Sequence, residues 1–553
     1  MVYHLRRLAV AAASVATLVF LLWLLPRLLN PTPPDDYERQ RDQQWVNSSP
    51  YWVDRQLCRW LGLCGIQHLR WDAPAIGDDG AGGVEDLKFE MLKALALGLS
   101  ASRGFHIKDD VSSWEVAPMR SDLKRKRAGA QQTGQLGADR ILEDVPDYVL
   151  AHAPLVHLSS LENFWPSDIA EHLKHMDPME DGELVNLTVS VDLAHLEKLN
   201  AATNTVFLSS KDDIESRPEW LHSHVGIPVP FDDDGDDNDN NGDTGGHDGE
   251  DKPKHPGGDR TWWDADRDHP PHRIADPRKN HERPRRPFER RSFDEPQHPF
   301  VGQFAEDTDT KPDASGYSRG PAVLVLVDKG SGIVDAFWFF FYSYNLGQTV
   351  LNIRFGNHVG DWEHCMIRFE DSIPRAMFLS EHAGGKAYAW KAMEKRTQKG
   401  SAAERPVIYS AVGSHAMYAL PGLHPYVLPF KMLKDITDKG PLWDPALNHY
   451  AFWYDYEVEQ EEADNPTEQE RTSLTPAASN PNLPTSWFHF EGYWGDDVYP
   501  LSDTRQWRLF GEYHYTTGPL GPKFKYLERR KMCQTDKCVI VDSIEAGEKS
   551  AWY

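Results

Sequence analysis

The sequence has little positive charge for its length. Its 553 residues contain 59 Lys and Arg against 85 Asp and Glu, which gives a formal net charge of −26. Binding to nucleic-acid phosphates needs a basic face, so this balance argues against a nucleic-acid partner. Segments with helical periodicity are also few, which argues against an all-α fold.

Long uncharged runs are scarce, and the one near the N terminus, from Leu8 to Pro26, is long enough to cross the hydrocarbon core of a bilayer as a helix. A secretory signal peptide, the alternative, would have a shorter apolar stretch followed by small residues at a cleavage site. Residues 1–30 are therefore predicted to form an uncleaved signal anchor. Arg6 and Arg7 precede the run, which places the N terminus in the cytosol and the body of a single-pass protein in a lumen.

Cysteine is scarce as well, with five residues in the chain. Four of them form two close pairs, Cys58 with Cys64 and Cys533 with Cys538, while Cys365 stands alone. Two local disulfides are expected in an oxidising lumen. A zinc site built from the four is the alternative, although gaps of five and four residues fit a zinc knuckle poorly.

Composition divides the rest of the chain. Residues 31–142 are predicted to be a partly helical stalk, because apolar residues recur at helical spacing from Val84 to Leu99. Residues 231–317 are highly charged and poor in aliphatic side chains, which predicts a long disordered acidic insertion. Sequons at Asn47 and Asn186 predict glycosylation and agree with a lumenal body.

Residues 143–230 and 318–530 carry short apolar runs broken by Pro, Ser and Gly, the pattern of strands and turns. Their spacing is typical of an all-β sandwich. We predict one β-sandwich domain with few helices, which is formed by these two parts and interrupted by the charged insertion. Residues 531–553 are then a C-terminal tail that holds the second cysteine pair.

The strand-like segment GNHVGDWEHCMIRF, Gly356 to Phe369, carries the candidate site. Alternate side chains of a strand share a face, so Asp361 and Glu363 point the same way as Cys365. Carboxylates at the rim of an apolar interior need a proton, a basic partner or a cation. His358 lies close by, and an oxygen-rich site with one imidazole suits Mg²⁺, Ca²⁺ or Mn²⁺ better than structural zinc. A structural hydrogen-bond cluster is the alternative.

Three further histidines are candidates to bind or orient these carboxylates. His364 directly follows Glu363, while His382 in SEHAGG and His415 in VGSHAMY follow predicted strands and neighbour small residues. Strand ends of one sheet converge, so these side chains are predicted to lie near the site. A histidine with purely structural hydrogen bonds is the alternative for each.

Several motifs in order resemble a known family. GNHVGDWEH, together with PDYVLAHAPLVHL, FWPSDIAEHL, IYSAVGSHAMYA and GYWGDDVYP, is similar to the vacuolar protein sorting-associated protein 62 family of fungi, which shares its core with a plant domain of unknown function. The likeness covers about 143–230 and 318–530. It implies a role in delivering proteins to the vacuole, from an endomembrane or the vacuolar membrane, with no established chemistry.

A more distant likeness links HVGDWE to the necrosis- and ethylene-inducing proteins, which have a lectin- and toxin-like β-sandwich. Their His-Asp-Glu signature helps to hold a divalent cation used in binding sphingolipid headgroups. The likeness implies metal ligands at His358, Asp361 and Glu363. Asn345 stands near the position of an upstream acidic ligand, and Gly360 replaces the signature's second histidine.

Two functions are consistent with these patterns. The favoured one is a membrane-anchored lumenal adaptor whose divalent-metal β-sandwich binds a glycan, a lipid headgroup or a vacuolar cargo protein, and which is not an enzyme. The alternative is a metal-dependent hydrolase acting on glycans or phosphoesters, in which the ion activates water and His364 or His415 transfers protons. A hydrolase needs an open coordination position and a base within reach of its substrate.

Overall fold

β-Strands form most of the regular structure in the part of the chain that the computed structural model describes. The described residues are Thr17, Phe20, 36–70, 142–185, 191–216, 218–222, 310–350, 353–382, 384–397, 403–426, 433–464, 472–509, 511–535 and 538–544. Apart from Leu142, they belong to one unit, Met1–Asp78 with Glu143–Tyr553. The architecture below is that of this unit.

Some sequence predictions fall outside the described residues. These are the anchor from Leu8 to Pro26 except Thr17 and Phe20, the helix from Val84 to Leu99, residues 231–309 of the insertion and the sequon at Asn186. Within the described ranges, no helix combines the length and apolar character needed to cross a bilayer.

Short helices border the strands. Within the described residues the α-helices are α1 Asp36–Ser48, α2 Trp52–Leu61, α3 Asp147–Ala151, α4 Ile169–Lys174 and α5 Tyr456–Asp464. Helix α2 ends because Gly62 adopts a left-handed conformation (φ 65°), which lets its N–H donate back to the helix. Helix α4 begins where the Asp168 side chain accepts a hydrogen bond from the N–H of Ala170.

The strands lie in several sheets. They are β1 Leu63–Cys64, β2 Leu155–His157, β3 Met176–Glu180, β4 Glu183–Leu184, β5 Val206–Ser210, β6 Ala322–Gly330, β7 Ile333–Asn345, β8 Gln348–Val350, β9 Ile353–Phe355, β10 His358–Glu370, β11 Ile373–Glu381, β12 Gly384–Ala389, β13 Lys395–Thr397, β14 Glu404–Ser410, β15 Met417–Tyr418, β16 Gly422–Tyr426, β17 Leu433–Thr437, β18 Leu442–Trp443, β19 His449–Tyr454, β20 Leu474–Pro476, β21 Arg508–Leu509, β22 Glu512–Tyr513 and β23 Ile540–Val541.

An eight-stranded sheet is the centre of the fold, in the order β20-β19-β6-β7-β10-β11-β12-β23. Its middle strands are antiparallel, whereas β19 with β6 and β12 with β23 are parallel. A second sheet has the order β13-β14-β2-β18, with β15 paired to β14. Strand β2 lies parallel to β14, so residues on both sides of the predicted insertion share one sheet. The smaller groups are β4-β3-β5, β1-β21-β22, β16-β17 and β8-β9.

Both faces of the central sheet are buried. Alternate residues of β7 enter two separate core clusters, with Phe339 and Phe341 on one face and Phe340 and Tyr342 on the other. The first face packs against α4, β3, β5 and a tryptophan group that includes Trp494. The second face packs against side chains of β2, β14 and β15. The structure confirms a β-rich fold with few helices. The β-sandwich architecture itself stays a prediction.

Two segments predicted to lie outside the β domain are ordered parts of it. Residues 310–317, the end of the predicted disordered insertion, form turns in which Thr310 is buried and the carbonyl of Gly316 accepts from the N–H of Asp444 at 2.8 Å. In the predicted stalk, Trp45 and Val46 pack in a cluster with Leu501. Tertiary contacts with distant residues, which local composition does not encode, order both segments.

The predicted disulfides are confirmed. Cys58 is bonded to Cys64 and Cys533 to Cys538, which leaves no thiolates in these pairs for a zinc site. Cys365 is a buried free cysteine. Asn47 is exposed at the end of α1, and its Oδ1 accepts a hydrogen bond from Arg59. A glycan at Asn47 stays a prediction.

Candidate functional site

The candidate site begins on β10, where the two carboxylates share a face as the alternation predicts. Asp361 lies opposite Tyr342 of β7, and Glu363 lies opposite Phe340. Directly opposed residues of an antiparallel pair lie on the same side of the sheet, and Tyr342 and Phe340 belong to the core cluster that contains Cys365. Asp361 is 6% exposed and Glu363 is 5% exposed. Their charges therefore need compensation inside the fold.

Gly360 lies where another segment of backbone touches the strand. It has a φ of 70°, and a Cβ at this position would lie 2.2 Å from the carbonyl oxygen of Trp494. A side chain here would displace the loop that contains Trp494. A histidine side chain therefore does not fit at this position without movement of that loop.

His415 supplies the positive charge that Asp361 needs. Its Nδ1 donates to Asp361 Oδ2 at 2.8 Å, and its Nε2 faces Glu162 Oε1 at 3.5 Å. The ring stacks on Tyr342 with centroids 3.6 Å apart. Burial by itself would lower the pKa of His415, but Glu162 and then Asp361 outweigh it and raise the pKa to about 9. His415 is therefore an imidazolium held between two carboxylates.

Backbone geometry places both partners. Glu162 Oε1 accepts the N–H groups of Asn163 and Phe164 at 2.8 and 2.9 Å, and its Oε2 accepts the N–H of Gly413 at 2.9 Å. Gly413 has a φ of 74°, and a Cβ there would lie 2.5 Å from a backbone carbonyl of Leu346. His415 also has a positive φ, 54°. This tight loop between β14 and β15 turns the imidazole inward.

Glu363 has a different environment from Asp361. Its Oε2 accepts a hydrogen bond from Ser380 Oγ, and the same hydroxyl accepts the N–H of His364 at 2.8 Å. Burial and then the neighbouring Asp361 raise the pKa of Glu363 to about 8. Glu363 therefore carries a proton near neutral pH and needs no cationic partner.

A second cluster surrounds Asp435. It adjoins the first one through Ser414, which precedes His415 in the chain. His382 Nε2, Ser414 Oγ and Tyr418 OH each donate to this carboxylate at 2.7 Å, and Gln348 donates at 3.2 Å. Burial would lower the pKa of His382, but Asp435 outweighs it and raises the pKa to about 9. The His382 side chain is 33% exposed, so this ion pair reaches the protein surface.

The predicted metal ligands do not converge as a set. The His358 ring, whose pKa is lowered chiefly by burial, donates from Nδ1 to the carbonyl of Gly360 at 2.6 Å. The Asn345 amide donates to the carbonyl of Gly356 at 2.7 Å. Among the residues that the structure describes, no group of three or more His, Cys, Asp or Glu side chains is arranged to hold a metal ion. The positive charge next to Asp361 comes from His415.

His364 lies on the opposite face of β10 from Asp361 and Glu363. It neighbours the rings of Phe339, Phe337 and Phe378 at centroid distances of 5.2, 6.3 and 5.4 Å. Burial lowers its pKa well below the ordinary value. The structure therefore separates His364 from the carboxylates, because successive residues of a strand face opposite sides.

Sequence reasoning missed several members of the network. They are Glu162, Tyr342, Ser380, Ser414 and Asp435. A carboxylate next to apolar and aromatic residues, as in LENFW, is a weak signal of a buried acid. Nothing in the local pattern indicates that Glu162 and His415 meet.

Comparisons with known proteins agree on one family. The family model of vacuolar protein sorting-associated protein 62, Vps62, matches residues 329–427, which include Asp361, Glu363 and His415. The Saccharomyces cerevisiae protein TDA6, whose name assigns it provisionally to vacuolar protein sorting, is 32% identical over 421 residues, covering 70% of this chain and 68% of TDA6. Vacuolar protein sorting-associated protein 62 of the same yeast is 30% identical over 419 residues, covering 71% of this chain and 68% of the relative.

Two solved structures have a limited likeness to this chain. The crystal structure of the non-toxic HaNLP3 protein has a TM-score of 0.14 and 13% identity, covering 19% of this chain and 47% of that one. A structure described as a toxin fold for microbial attack and plant defense has a TM-score of 0.16 and 11% identity, covering 29% and 65%. These scores are too low to carry an argument. The sequence relatives suffice: the chain belongs to the vacuolar protein sorting-associated protein 62 family.

Proposed function

We propose that this protein assists the delivery of proteins to the vacuole as a membrane-anchored lumenal protein that binds its ligand without transforming it. The supporting observation is that two yeast relatives named for vacuolar sorting match about 70% of the chain. The predicted anchor, Leu8 to Pro26, and the two disulfides suit a body in an oxidising compartment. The ligand would be a glycan, a lipid headgroup or a cargo protein.

The geometry of the site favours binding over hydrolysis. A general base must come within hydrogen-bond reach of its substrate, whereas Asp361 and Glu363 are buried and already accept hydrogen bonds inside the fold. The imidazolium of His415 is fully buried as well. These groups hold the β14–β15 loop against β10, and they would shape a binding surface between the two sheets of a β-sandwich. His382, whose side chain is 33% exposed at the edge of the network, would contribute charge to that surface.

The divalent cation stays a separate prediction. Asp361 and Glu363 supply oxygens on one face of β10, but each is engaged by a side chain of the protein, so no step of the proposed function depends on an ion. Calorimetric titration of the full chain with Mg²⁺, Ca²⁺ and Mn²⁺, beside Glu363→Ala, tests it. Binding heat that disappears in the variant supports the ion, and absence of heat with all three ions refutes it.

Complementation in yeast tests the sorting role. The full chain is expressed in S. cerevisiae lacking both TDA6 and the vacuolar protein sorting-associated protein 62, and the secreted fraction of a soluble vacuolar hydrolase is measured. We expect the chain to lower that fraction, and we expect His382→Asn, which removes the partly exposed charge of the network, to weaken the effect. His364→Phe, on the opposite face of β10, is the matched control. A stable, correctly localised chain that leaves the secreted fraction unchanged would refute the proposal.

Binding and catalysis are separated with purified full chain on glycan and lipid arrays. Retention of chemically unchanged ligand supports the adaptor. Release of a cleaved product, followed by mass spectrometry, would instead establish a hydrolase. The two readouts use the same protein sample, so a folding defect affects both equally.

A further inference from the structure

Helix α2 exposes large aromatic side chains on its surface. Trp52 is 66% exposed, Val53 is 60% exposed and Trp60 is 75% exposed, and Tyr51, just before the helix, is 61% exposed. Large apolar side chains exposed in a group mark interaction surfaces more often than singly exposed ones do. The group lies on two turns of one helix, so it forms one surface.

Helical geometry places these side chains on one side of α2. At 3.6 residues per turn, Trp52, Val53 and Trp60 fall on a single face, together with Gln56 and Arg59. Trp60 Nε1 donates to Gln56 Oε1 at 3.1 Å, which fixes the indole along that face. We call this set, Trp52, Val53, Gln56, Arg59 and Trp60, the aromatic face of α2.

The opposite side of α2 is tied to the protein body, so the aromatic face cannot turn inward. Asp54 is buried and accepts the N–H of Gly65 at 2.8 Å. Cys58 is buried and bonded to Cys64, and both pack in a cluster with Trp45 and Leu501. The helix is thus held with its aromatic face outward.

The charge of this helix differs from that of the chain. Asp54, its one acidic residue, is buried, whereas Arg59 is exposed on the aromatic face. The whole chain has a net charge of −26, so an exposed helix surface with only positive charge is a local exception. Tryptophan and tyrosine concentrate at the boundary between headgroups and acyl chains, where a neighbouring arginine can donate hydrogen bonds to lipid phosphates.

The position of the helix in the chain limits its distance from the predicted anchor. The predicted anchor ends at Pro26 and α1 begins at Asp36, so the connecting segment spans at most about 35 Å even when fully extended. Helix α2 follows α1 after a short turn at Tyr51. We propose that the aromatic face of α2 lies in the headgroup layer of the membrane that holds the predicted anchor and orients the lumenal body against it; this inference rests on the anchored topology of the proposed function.

Brominated lipids test this contact directly. The full chain is reconstituted in vesicles of phosphatidylcholine and phosphatidylserine, with or without bromine on the phosphatidylcholine acyl chains, which quench nearby tryptophan. All proteins carry Trp23→Phe, because Trp23 lies in the predicted anchor. We expect quenching of the parent protein and its loss in Trp52→Phe/Trp60→Phe. Phenylalanine keeps the face apolar, so the loss reports where the two indoles lie.

The control variant is Trp390→Phe, which removes a half-buried tryptophan of the central domain and is expected to keep the quenching. Quenching that is absent in the parent, or unchanged in the double variant, would overturn the proposal. The sorting role is tested separately by complementation, so it can fail while the membrane contact holds, and loss of quenching leaves the complementation result unchanged.

Discussion

Two fully buried histidines on opposite sides of β10 differ in the direction of their pKa shift. His415 packs against the face of Asp361, and the carboxylates around it raise its pKa to about 9. His364 lies among aromatic rings on the other face, where burial holds its pKa well below the ordinary value. Burial therefore does not decide the charge of a histidine by itself. The decisive factor is whether a carboxylate reaches the ring through the tertiary fold.

The largest expected effect comes from removing the charged histidine. His415→Asn leaves Glu162 and Asp361 buried without a cation, and breaking a buried ion pair in this way lowers the free energy of unfolding by about 3–5 kcal/mol. Asparagine tolerates the positive φ at this position, so backbone strain does not explain a loss. Urea unfolding monitored by tryptophan fluorescence measures the change. Wild-type stability in the variant would contradict the assignment of an imidazolium.

The two acidic side chains of β10 are expected to respond differently to replacement by the corresponding amide. Asp361→Asn weakens a charge-assisted hydrogen bond with His415 and is expected to lower the free energy of unfolding by about 1.5–3 kcal/mol. In Glu363→Gln, the amide oxygen can still accept from Ser380, so a loss below about 1 kcal/mol is expected. Parallel urea titrations compare the variants, and equal losses would contradict the contrast.

The pair of His382 and Asp435 predicts a pH dependence. The pKa of His382 is raised to about 9 against burial, chiefly by Asp435, with Glu363 and Glu381 contributing. The charged form of His382 therefore stabilises the protein fully below its ordinary pKa of about 6.5, and this contribution disappears as the pH rises through about 9. Because the pair is partly exposed, His382→Asn is expected to lower the free energy of unfolding by about 1–2 kcal/mol at pH 6.

The same pair also loses its stabilising effect at low pH. The pKa of Asp435 is lowered despite burial, with His382 as the main cause, so its contribution is present above its ordinary range and falls as acid protonates it. The difference in the free energy of unfolding between wild type and His382→Asn should be largest near pH 6. It should disappear above pH 9. Denaturant midpoints measured across that range check this, and a constant gap would argue against it.

The smallest change in the free energy of unfolding is expected from substitution of His364, the neutral histidine. Neither ring nitrogen of His364 has a hydrogen-bond partner among the described residues, and the ring is surrounded by phenylalanines. His364→Phe is expected to change the free energy of unfolding by less than about 1 kcal/mol, in the stabilising direction. Thermal unfolding beside His415→Asn shows the contrast. A loss comparable to that of His415→Asn would mean that His364 is also charged or bonded.

Local rules predicted more of the fold than of the site. Close spacing alone identified the disulfide partners, and strand alternation placed Asp361 on the face of Cys365. The same alternation excludes His364 from that face, so this part of the interpretation was wrong for a reason that the sequence already contained. By contrast, the order of residues 310–317 depends on Asp444, which lies more than a hundred positions away.

The amino-acid sequence by itself determined the β-rich character and the two-faced pattern of β10, because these depend on composition and on side-chain alternation between neighbours. Its motifs, in their order along the chain, carried the resemblance to the family. Only the tertiary structure decided how the carboxylates are neutralised. Glu162 and His415 come from opposite sides of the predicted insertion, and they meet because β2 and β14 pair in the second sheet. Charge compensation in a buried site depends on distances of a few ångströms, and folding sets those distances.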